Sequence, residues 1–180
     1  MTPVDLGLPS GTKWAPMNVG ASAPEEAGLY FSWGNTDGHT SSEGYAFTED
    51  SYKNTPGVEI SGNIPLTHDA ARVNMGGNWR MPTQTEFAEL VNNCTYLWTT
   101  QNGVNGAQFT SKINGNTIFF PATGHFYGTE REAFGVIGSY WSSTNLDTES
   151  SYTLYTESEK VDPNYDDVRS AGFTIRAVQS

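Results

Sequence analysis

The segment 76–90 constrains the fold more than any other part of the sequence. Pro82 disfavours a helical backbone at Met81, so the chain before the proline is expected to be extended. Thr83 and Glu86, three residues apart, match a capping box, which starts a helix. Apolar residues then recur at helical spacing, at Phe87, Leu90, Val91 and Cys94. The segment therefore predicts an extended stretch that turns directly into an amphipathic helix.

Length and composition favour one domain built from short strands and turns. At 180 residues the chain is long enough to bury a core without covalent staples. Gly, Asn, Ser, Thr and aromatic residues are plentiful while strong helix formers are scarce, a balance that favours strands and turns over a helical bundle. No internal repeat or domain linker is evident. We therefore expect a single domain over 1–180.

The net charge of the chain is strongly negative, at −11. This charge argues against nucleic acid or an anionic membrane surface as the partner. The single cysteine, Cys94, excludes an intramolecular disulfide and a zinc site built on cysteines. No segment has the pattern of a membrane span or a signal peptide. We expect no membrane insertion by this domain, and we expect an export signal to lie outside residues 1–180.

The chain predicts two short helices among a series of strands. A first helix is expected over 67–76, with Thr67 as its N-cap and Gly76 as its C-terminal stop; the second is the helix after Pro82. Asn114 with the glycine that follows it predicts a type I′ hairpin turn. Strands are predicted at 12–17, 30–34, 107–113, 117–121, 138–144, 152–155 and 172–178.

Two segments predict irregular structure. Residues 37–63 are polar, Gly-rich and aperiodic, and they predict a long surface insertion. Residues 122–138 are punctuated by glycines and predict a loop. Three aromatic residues are candidates for attaching the insertion to the body: Tyr45, Phe47 and Tyr52.

Catalytic patterns are missing from the sequence. There is no G-x-S-x-G nucleophile motif. The histidines His39, His68 and His125 lie far apart, without the spacing of zinc ligands. These observations predict that the domain is not an enzyme and carries no cofactor.

One short segment partly imitates a calcium-binding loop. Asp162, Asn164 and Asp166 match the first positions of an EF-hand loop. The match then fails, because Asp167 stands where the loop needs glycine and Phe173 where it needs glutamate. No metal site is predicted, and calcium is kept as the alternative.

The segment 144–169 is the candidate binding region. Tyrosine combined with Asn, Asp, Ser and Thr is the composition of adaptable binding surfaces, in which Tyr, here Tyr152, Tyr155 and Tyr165, supplies rigid amphipathic area. An ordinary polar loop region would have the same composition. The candidate ligand-binding residues are Asn145, Asp147, Tyr152, Thr153, Tyr155, Asp162, Asn164, Tyr165, Asp166 and Asp167.

Several motifs resemble one bacterial family. Trp-Arg-Met-Pro-Thr at 79–83, followed by Glu86 and Phe87, resembles the W-R-L-P-T-x-x-E-[WF] signature of bacterial C-type-lectin-like domains of the major paralogous (FISUMP-like) family. Ile-Phe-Phe-Pro-Ala-Thr-Gly at 118–124 and Gly-Ser-Tyr-Trp-Ser-Ser-Thr at 138–144 are similar to its C-terminal third. The resemblance covers nearly the whole chain and is weakest in the insertion.

The resemblance implies an α+β, C-type-lectin-like fold. Such a fold has two short helices, small antiparallel sheets and long irregular loops. Its terminal strands are paired, so 172–178 would lie against roughly 12–18. Residues 140–178 are also similar to the variable region of proteins that diversity-generating retroelements mutate.

Residues and resemblance together predict a non-enzymatic binding module at the cell surface or outside the cell. It would form part of an adhesin or receptor, with its binding face in 144–169, and bind a protein or glycan on another cell or host surface. A phage tail-tip receptor binder and a structural part of a surface polymer are the alternatives. An enzyme of the formylglycine-generating type is disfavoured, because that family needs a cysteine pair and only Cys94 is present.

Overall fold

The computed structural model describes residues 1–53 and 62–180 and has an α+β architecture. The helices are α1 (Asp50–Lys53), α2 (Ala70–Met75), which follows a 3₁₀ turn at Leu66–His68, and α3 (Gln84–Asn93). The strands are β1 (Lys13–Trp14), β2 (Cys94–Gln101), β3 (Val104–Ser111), β4 (Thr117–Pro121), β5 (His125–Tyr127), β6 (Glu130–Glu132), β7 (Gly138–Asn145), β8 (Ser150–Glu157), β9 (Lys160–Val168) and β10 (Val178–Gln179). None of the helices described is long and apolar enough to cross a membrane.

The strands of the described residues form small antiparallel sheets. Their orders are β1-β10, β2-β3-β4, β5-β6 and β7-β8-β9. The predicted pairing of the terminal strands is confirmed, since Trp14 lies opposite Val178. The regular pairing is shorter than predicted. Beyond it, the two terminal segments stay side by side through single backbone hydrogen bonds, such as the one from Val19 N to Ile175 O (2.9 Å). Residues 171–178 are buried throughout, so the alternating pattern there does not mark an exposed face.

The predicted capping box is present at the start of α3. Thr83 Oγ1 accepts a bond from Glu86 N (3.1 Å), and Glu86 Oε1 accepts one from Thr83 N (2.9 Å). Both carboxylate oxygens of Glu86 also accept bonds from the Arg80 guanidinium, at 2.7 and 2.8 Å. Thr12 Oγ1 donates to the same carboxylate. Glu86 therefore fixes the extended arm and the N-terminal segment to the start of α3.

The N-cap of α2 was predicted at the wrong residue. Thr67 lies in the 3₁₀ turn, and Asp69 caps the helix by accepting a bond from Arg72 N (3.0 Å). The Asp69 carboxylate is buried and also accepts from Met81 N (2.9 Å), so it joins α2 to the extended arm. Gly76 ends the helix as predicted, with a φ of 73°.

The type I′ turn was also predicted at the wrong asparagine. Asn114 lies in a longer connection between β3 and β4, where its amide donates to Asp5 O (3.0 Å). The two-residue turn with positive φ at both centres is at Asn102 and Gly103, with φ of 49° and 80°, and it joins β2 to β3. The segment 94–101, for which no strand was predicted, is therefore β2.

The predictions for two other segments need correction. Residues 122–138 contain the β5–β6 hairpin instead of only a loop. Residues 30–34, predicted as a strand, make single bridges, from Tyr30 to His39 and from Phe31 to Phe173.

The predicted insertion is attached to the body through aromatic side chains. Phe47 is buried and packs against Tyr30 and Phe126, and Tyr45 packs beside it. The remaining prediction for the insertion, including the side chain of Tyr52 and residues 54–61, lies outside the described residues.

One buried cation ties three parts of the core together. Arg176 is fully buried, donates from Nε to Asn18 Oδ1 (2.7 Å) and from Nη2 to Phe119 O (2.7 Å). Its guanidinium also lies 4.4 Å from the centre of the Phe120 ring. Burial lowers the pKa of Arg176 to about 10, so the side chain stays charged at neutral pH. The C-terminal segment is thereby fixed to the N-terminal segment and to β4.

Candidate functional site

The candidate binding region forms a β-hairpin. Most of residues 150–168 lie in β8 and β9, and β9 is the outer strand of its sheet. Tyr155 lies opposite Asp162, and Thr153 lies opposite Tyr165, so β9 has one more residue than β8 between these pairs. This bulge sets which side chains share a face.

The strand register separates the candidate residues onto two faces. Side chains directly opposite each other in a ladder point to the same face. Tyr155, Asp162, Tyr165 and Asp167 therefore share one face. Tyr152 lies opposite Asp166 and shares the other face with it. The sequence predicted one binding face, and the register gives two.

Two tyrosines form the centre of the first face. The ring centroids of Tyr155 and Tyr165 are 4.7 Å apart, with planes tilted by 31°. The Lys160 ammonium lies 5.4 Å from the Tyr155 centroid and 5.8 Å from the Tyr165 centroid. The Tyr155 hydroxyl donates to Glu157 Oε2 (2.9 Å). Burial, together with this bond to Glu157, raises the pKa of Tyr155 to about 12.

A third tyrosine approaches from another sheet. The Tyr127 hydroxyl, on β5, donates to Asp167 Oδ2 (2.6 Å). Burial and the neighbouring Asp167 carboxylate raise the pKa of Tyr127 far above its usual range. We call Tyr127, Tyr155 and Tyr165 the tyrosine face; the charged side chains that contact these tyrosines are Glu157, Lys160 and Asp167. Sequence reasoning missed Tyr127, because the strand at 125–127 has only three residues, too few for a strand pattern to be read from the sequence.

The tyrosine face keeps a large exposed aromatic area. Tyr165 is 37% exposed and Tyr127 is 43% exposed, although both hold contacts within the protein. The Tyr127 hydroxyl and the Tyr165 ring are therefore held by neighbours, while part of each ring remains open to solvent.

Thr153 is not on the accessible surface. It is 1% exposed, although it lies opposite Tyr165 in the ladder. The prediction that Thr153 contributes to an exposed face is therefore wrong. Its burial depends on what packs against β8, which could not be read from the sequence.

Asn145 and Asp147 use their polar atoms to hold the turn between β7 and β8. Asn145 Oδ1 accepts a bond from Nη2 of the buried Arg169. Asp147 Oδ1 accepts from Glu149 N and Ser150 N, both at 2.8 Å, and these bonds hold the pKa of its carboxyl below its usual range. The Arg169 guanidinium lies 4.4 Å from the centre of the Trp33 ring. These two candidates therefore brace the hairpin.

The partial calcium motif does not converge on one point. Asp162 and Asp166 lie on opposite faces of β9, and Asp162 Oδ1 accepts a bond from Asn164 N (2.8 Å). The Asn164 amide oxygen accepts from the Gln84 side chain at the start of α3. Within residues 1–53 and 62–180, no group of three or more His, Cys, Asp or Glu side chains could hold a metal ion.

Three positions along the outer strand β9 offer no free backbone donor. Pro163 has no N–H, Asp162 takes the N–H of Asn164, and Asp167 Oδ1 takes the N–H of Val168 (2.8 Å). Such features protect an edge strand from pairing with another chain. A ligand at this hairpin would therefore be recognised by side chains.

Two cavities lie away from the tyrosine face. One of about 390 Å³ includes Gln101, Gln108 and Phe119 in its lining. The other, of about 420 Å³, lies beside Asp69 and Glu86, whose carboxylates are already occupied by the bonds described above. None of the three tyrosines lines either cavity, so the tyrosine face is a surface and not part of these pockets.

No protein-family model, curated protein or solved structure matches this chain.

Proposed function

We propose that this domain is a non-enzymatic binding module of C-type-lectin-like fold, and that the tyrosine face is its ligand-binding surface. The motif around Glu86, the paired terminal strands and the small antiparallel sheets support the fold assignment. A surface adhesin or receptor is the protein to which such a module would belong, at the cell surface or outside the cell.

The single observation that carries the binding proposal is the contact between Tyr155 and Tyr165. Two tyrosine rings in contact on an exposed face supply a large amphipathic area. Because a tyrosine side chain has few rotatable bonds, fixing it against a ligand costs little conformational entropy. Tyr127, held by Asp167, extends the same area.

The strands beneath the face are firmly held, which favours recognition. Ser142 Oγ on β7 donates to Tyr152 O (2.7 Å) on β8. Trp33 Nε1 donates to Ser142 O (2.8 Å), which fixes β7 to the core. Sites built on braced strands hold their geometry better than sites on loops. The face is therefore organised before a ligand arrives.

Residues 140–178 are, in this proposal, the region that a retroelement would diversify. Exposed positions such as Asn164, Tyr165 and Asp166 can change with little effect on packing. Buried positions such as Thr153 and Arg169 cannot. Variation would therefore be confined to part of the hairpin.

The proposal is tested by a comparative binding screen. Wild-type protein, the Tyr155→Ala/Tyr165→Ala double variant and Leu97→Ala are applied to a glycan array and to an array of purified secreted and surface proteins. Leu97 is exposed on β2 and controls for the loss of an exposed apolar side chain. We expect ligands that bind the wild type and Leu97→Ala but not the double variant. No ligand for the wild type, or equal binding by all three proteins, would contradict the proposal.

A further inference from the structure

The hairpin that carries the tyrosine face is strongly acidic. Lys160 is the only basic residue within β8 and β9. The acidic residues of 150–168 are Glu157, Glu159, Asp162, Asp166 and Asp167. On the neighbouring β6, Arg131 is engaged with the Phe134 ring at 3.8 Å, and Glu130 and Glu132 add further negative charge. A partner with complementary charge at this surface would be basic.

The single basic residue of the hairpin already lies against the rings. The Lys160 ammonium is within 6 Å of both the Tyr155 and the Tyr165 centroids, at 5.4 and 5.8 Å. A cation at this distance from an aromatic ring is attracted by the negative potential of the ring face. The ring pair of the free domain thus holds an ammonium supplied by its own chain.

The shape of the surface favours a macromolecule over a small molecule. Small-molecule ligands are mostly bound in concave pockets, and the two cavities described above lie elsewhere. An exposed face rich in tyrosine with short polar neighbours suits a protein surface. Since Asp162, Pro163 and Asp167 block the edge of β9, the partner would dock through side chains.

Resting on the proposed function, we propose that the partner is a protein that places a Lys or Arg side chain against the Tyr155–Tyr165 ring pair, and that Lys160 occupies this place in the free domain. The incoming cation displaces the Lys160 ammonium into solvent. Glu157 and Asp167 flank the pair and supply carboxylates for the cation. Removing the Lys160 charge therefore strengthens binding of a basic partner.

A peptide titration followed by NMR tests this exchange. The probe is an acetylated, amidated hexapeptide with two arginines, and its twin carries citrulline at both positions, which keeps the shape and removes the charge. Isotope-labelled protein is titrated in about 150 mM salt, where the Debye length is about 8 Å and distant charges are screened. Amide shifts of β5, β8 and β9 report binding at the face.

Variants separate the ring pair from general charge. Lys160→Gln and Lys112→Gln change the net charge equally, and Lys112 lies in the β3–β4 connection, away from β8 and β9 in the chain. We expect Lys160→Gln to bind the arginine peptide about two- to fivefold more tightly than Lys112→Gln, the range of an exposed cation–ring contact. Tyr165→Ser, which replaces an exposed side chain, should lose the shifts at β8 and β9.

Each contrary result would contradict a different part of the proposal. Equal binding of the citrulline twin would contradict recognition of a cation by the ring pair. Loss of array ligands in the tyrosine double variant would in that case still support the tyrosine face as the binding surface. Lys160→Gln that binds no better than Lys112→Gln would overturn the role of Lys160. Arginine-peptide shifts that avoid β5, β8 and β9, or no shifts at all, would overturn recognition of a basic side chain at this surface.

Discussion

Trp33 and Trp141 each donate an indole hydrogen bond to the segment that carries the other. Trp33 Nε1 donates to Ser142 O (2.8 Å), and Trp141 Nε1 donates to Phe31 O (2.7 Å). Both rings are buried. This reciprocal pair fixes β7 to the 30–34 segment, and β7 pairs with β8, the central strand of the sheet that also carries β9. The strands that carry the tyrosine face are therefore held in place by buried residues that are not part of the face.

Trp141→Phe should destabilise the domain strongly. The change removes the donor to Phe31 O and leaves a cavity beside Phe173, whose ring is 4.4 Å from that of Trp141. We expect a loss of about 2–4 kcal/mol in the free energy of unfolding. Urea denaturation followed by fluorescence of the remaining tryptophans measures it. A loss below about 0.5 kcal/mol would show that the reciprocal pair is not needed, because surface changes have effects of that size.

Asn145→Ala should also destabilise the fold, although the sequence predicted a ligand contact for Asn145. The change removes an acceptor of the buried Arg169 guanidinium, and we expect a cost of about 1–3 kcal/mol. Asp166→Ala is the matched control, since Asp166 is exposed on the same hairpin. Both are compared by thermal and urea unfolding. Equal stability of the two variants would mean that the Asn145 side chain is not needed for folding and could contact a ligand.

Glu86 should make the free energy of unfolding depend on pH in the acid range. Burial acts to raise the pKa of Glu86, but the hydrogen bonds from Arg80, Thr83 and Thr12 outweigh it and lower the pKa below 4.5. A carboxyl with a lowered pKa in the folded state stabilises the protein above its unfolded pKa, and this stabilisation is lost as pH falls through the folded pKa. The difference in the free energy of unfolding between the wild type and Glu86→Gln should therefore shrink as pH falls from 6 to below 4. Urea titrations at several pH values measure it, and a constant difference would contradict the lowered pKa.

Natural variation should follow burial within the hairpin. If residues 140–178 are retroelement-diversified, deep sequencing of this region across a natural population should find changes at exposed positions such as Tyr165 and Asp166. Thr153 and Arg169, which are buried, should stay constant. An invariant region would remove the retroelement proposal and leave a module with a fixed ligand.

Local patterns predicted the parts of the fold that depend on neighbours in sequence. The Thr83–Glu86 box needs only the four residues of a helix start, and it is present. The cap of α2 could not be predicted, because Asp69 is chosen over Thr67 by its distant bond to Met81 N. Asn114 was misjudged for the same reason, since its amide is held by Asp5 O from the N-terminal segment.

The sequence pointed to two of the three residues of the tyrosine face. Composition located Tyr155 and Tyr165, which are in contact. Thr153 is buried although Tyr152 and Tyr155 on the same strand are partly exposed, and this depends on the surrounding fold, so it could not be seen in the sequence. Tyr127 joins the face through a fold that brings β5 beside β9, a relationship that no local pattern carries.

The dissociation constant of the strongest array ligand tests the central claim most directly. It is measured for wild type, Tyr155→Ala, Tyr165→Ala and Leu97→Ala, with thermal unfolding as the check on folding. The account predicts that each tyrosine variant weakens binding about tenfold or more, as centrally placed aromatic residues do, while Leu97→Ala binds like the wild type. Affinities that are equal in all four proteins would place the binding surface elsewhere and contradict the account.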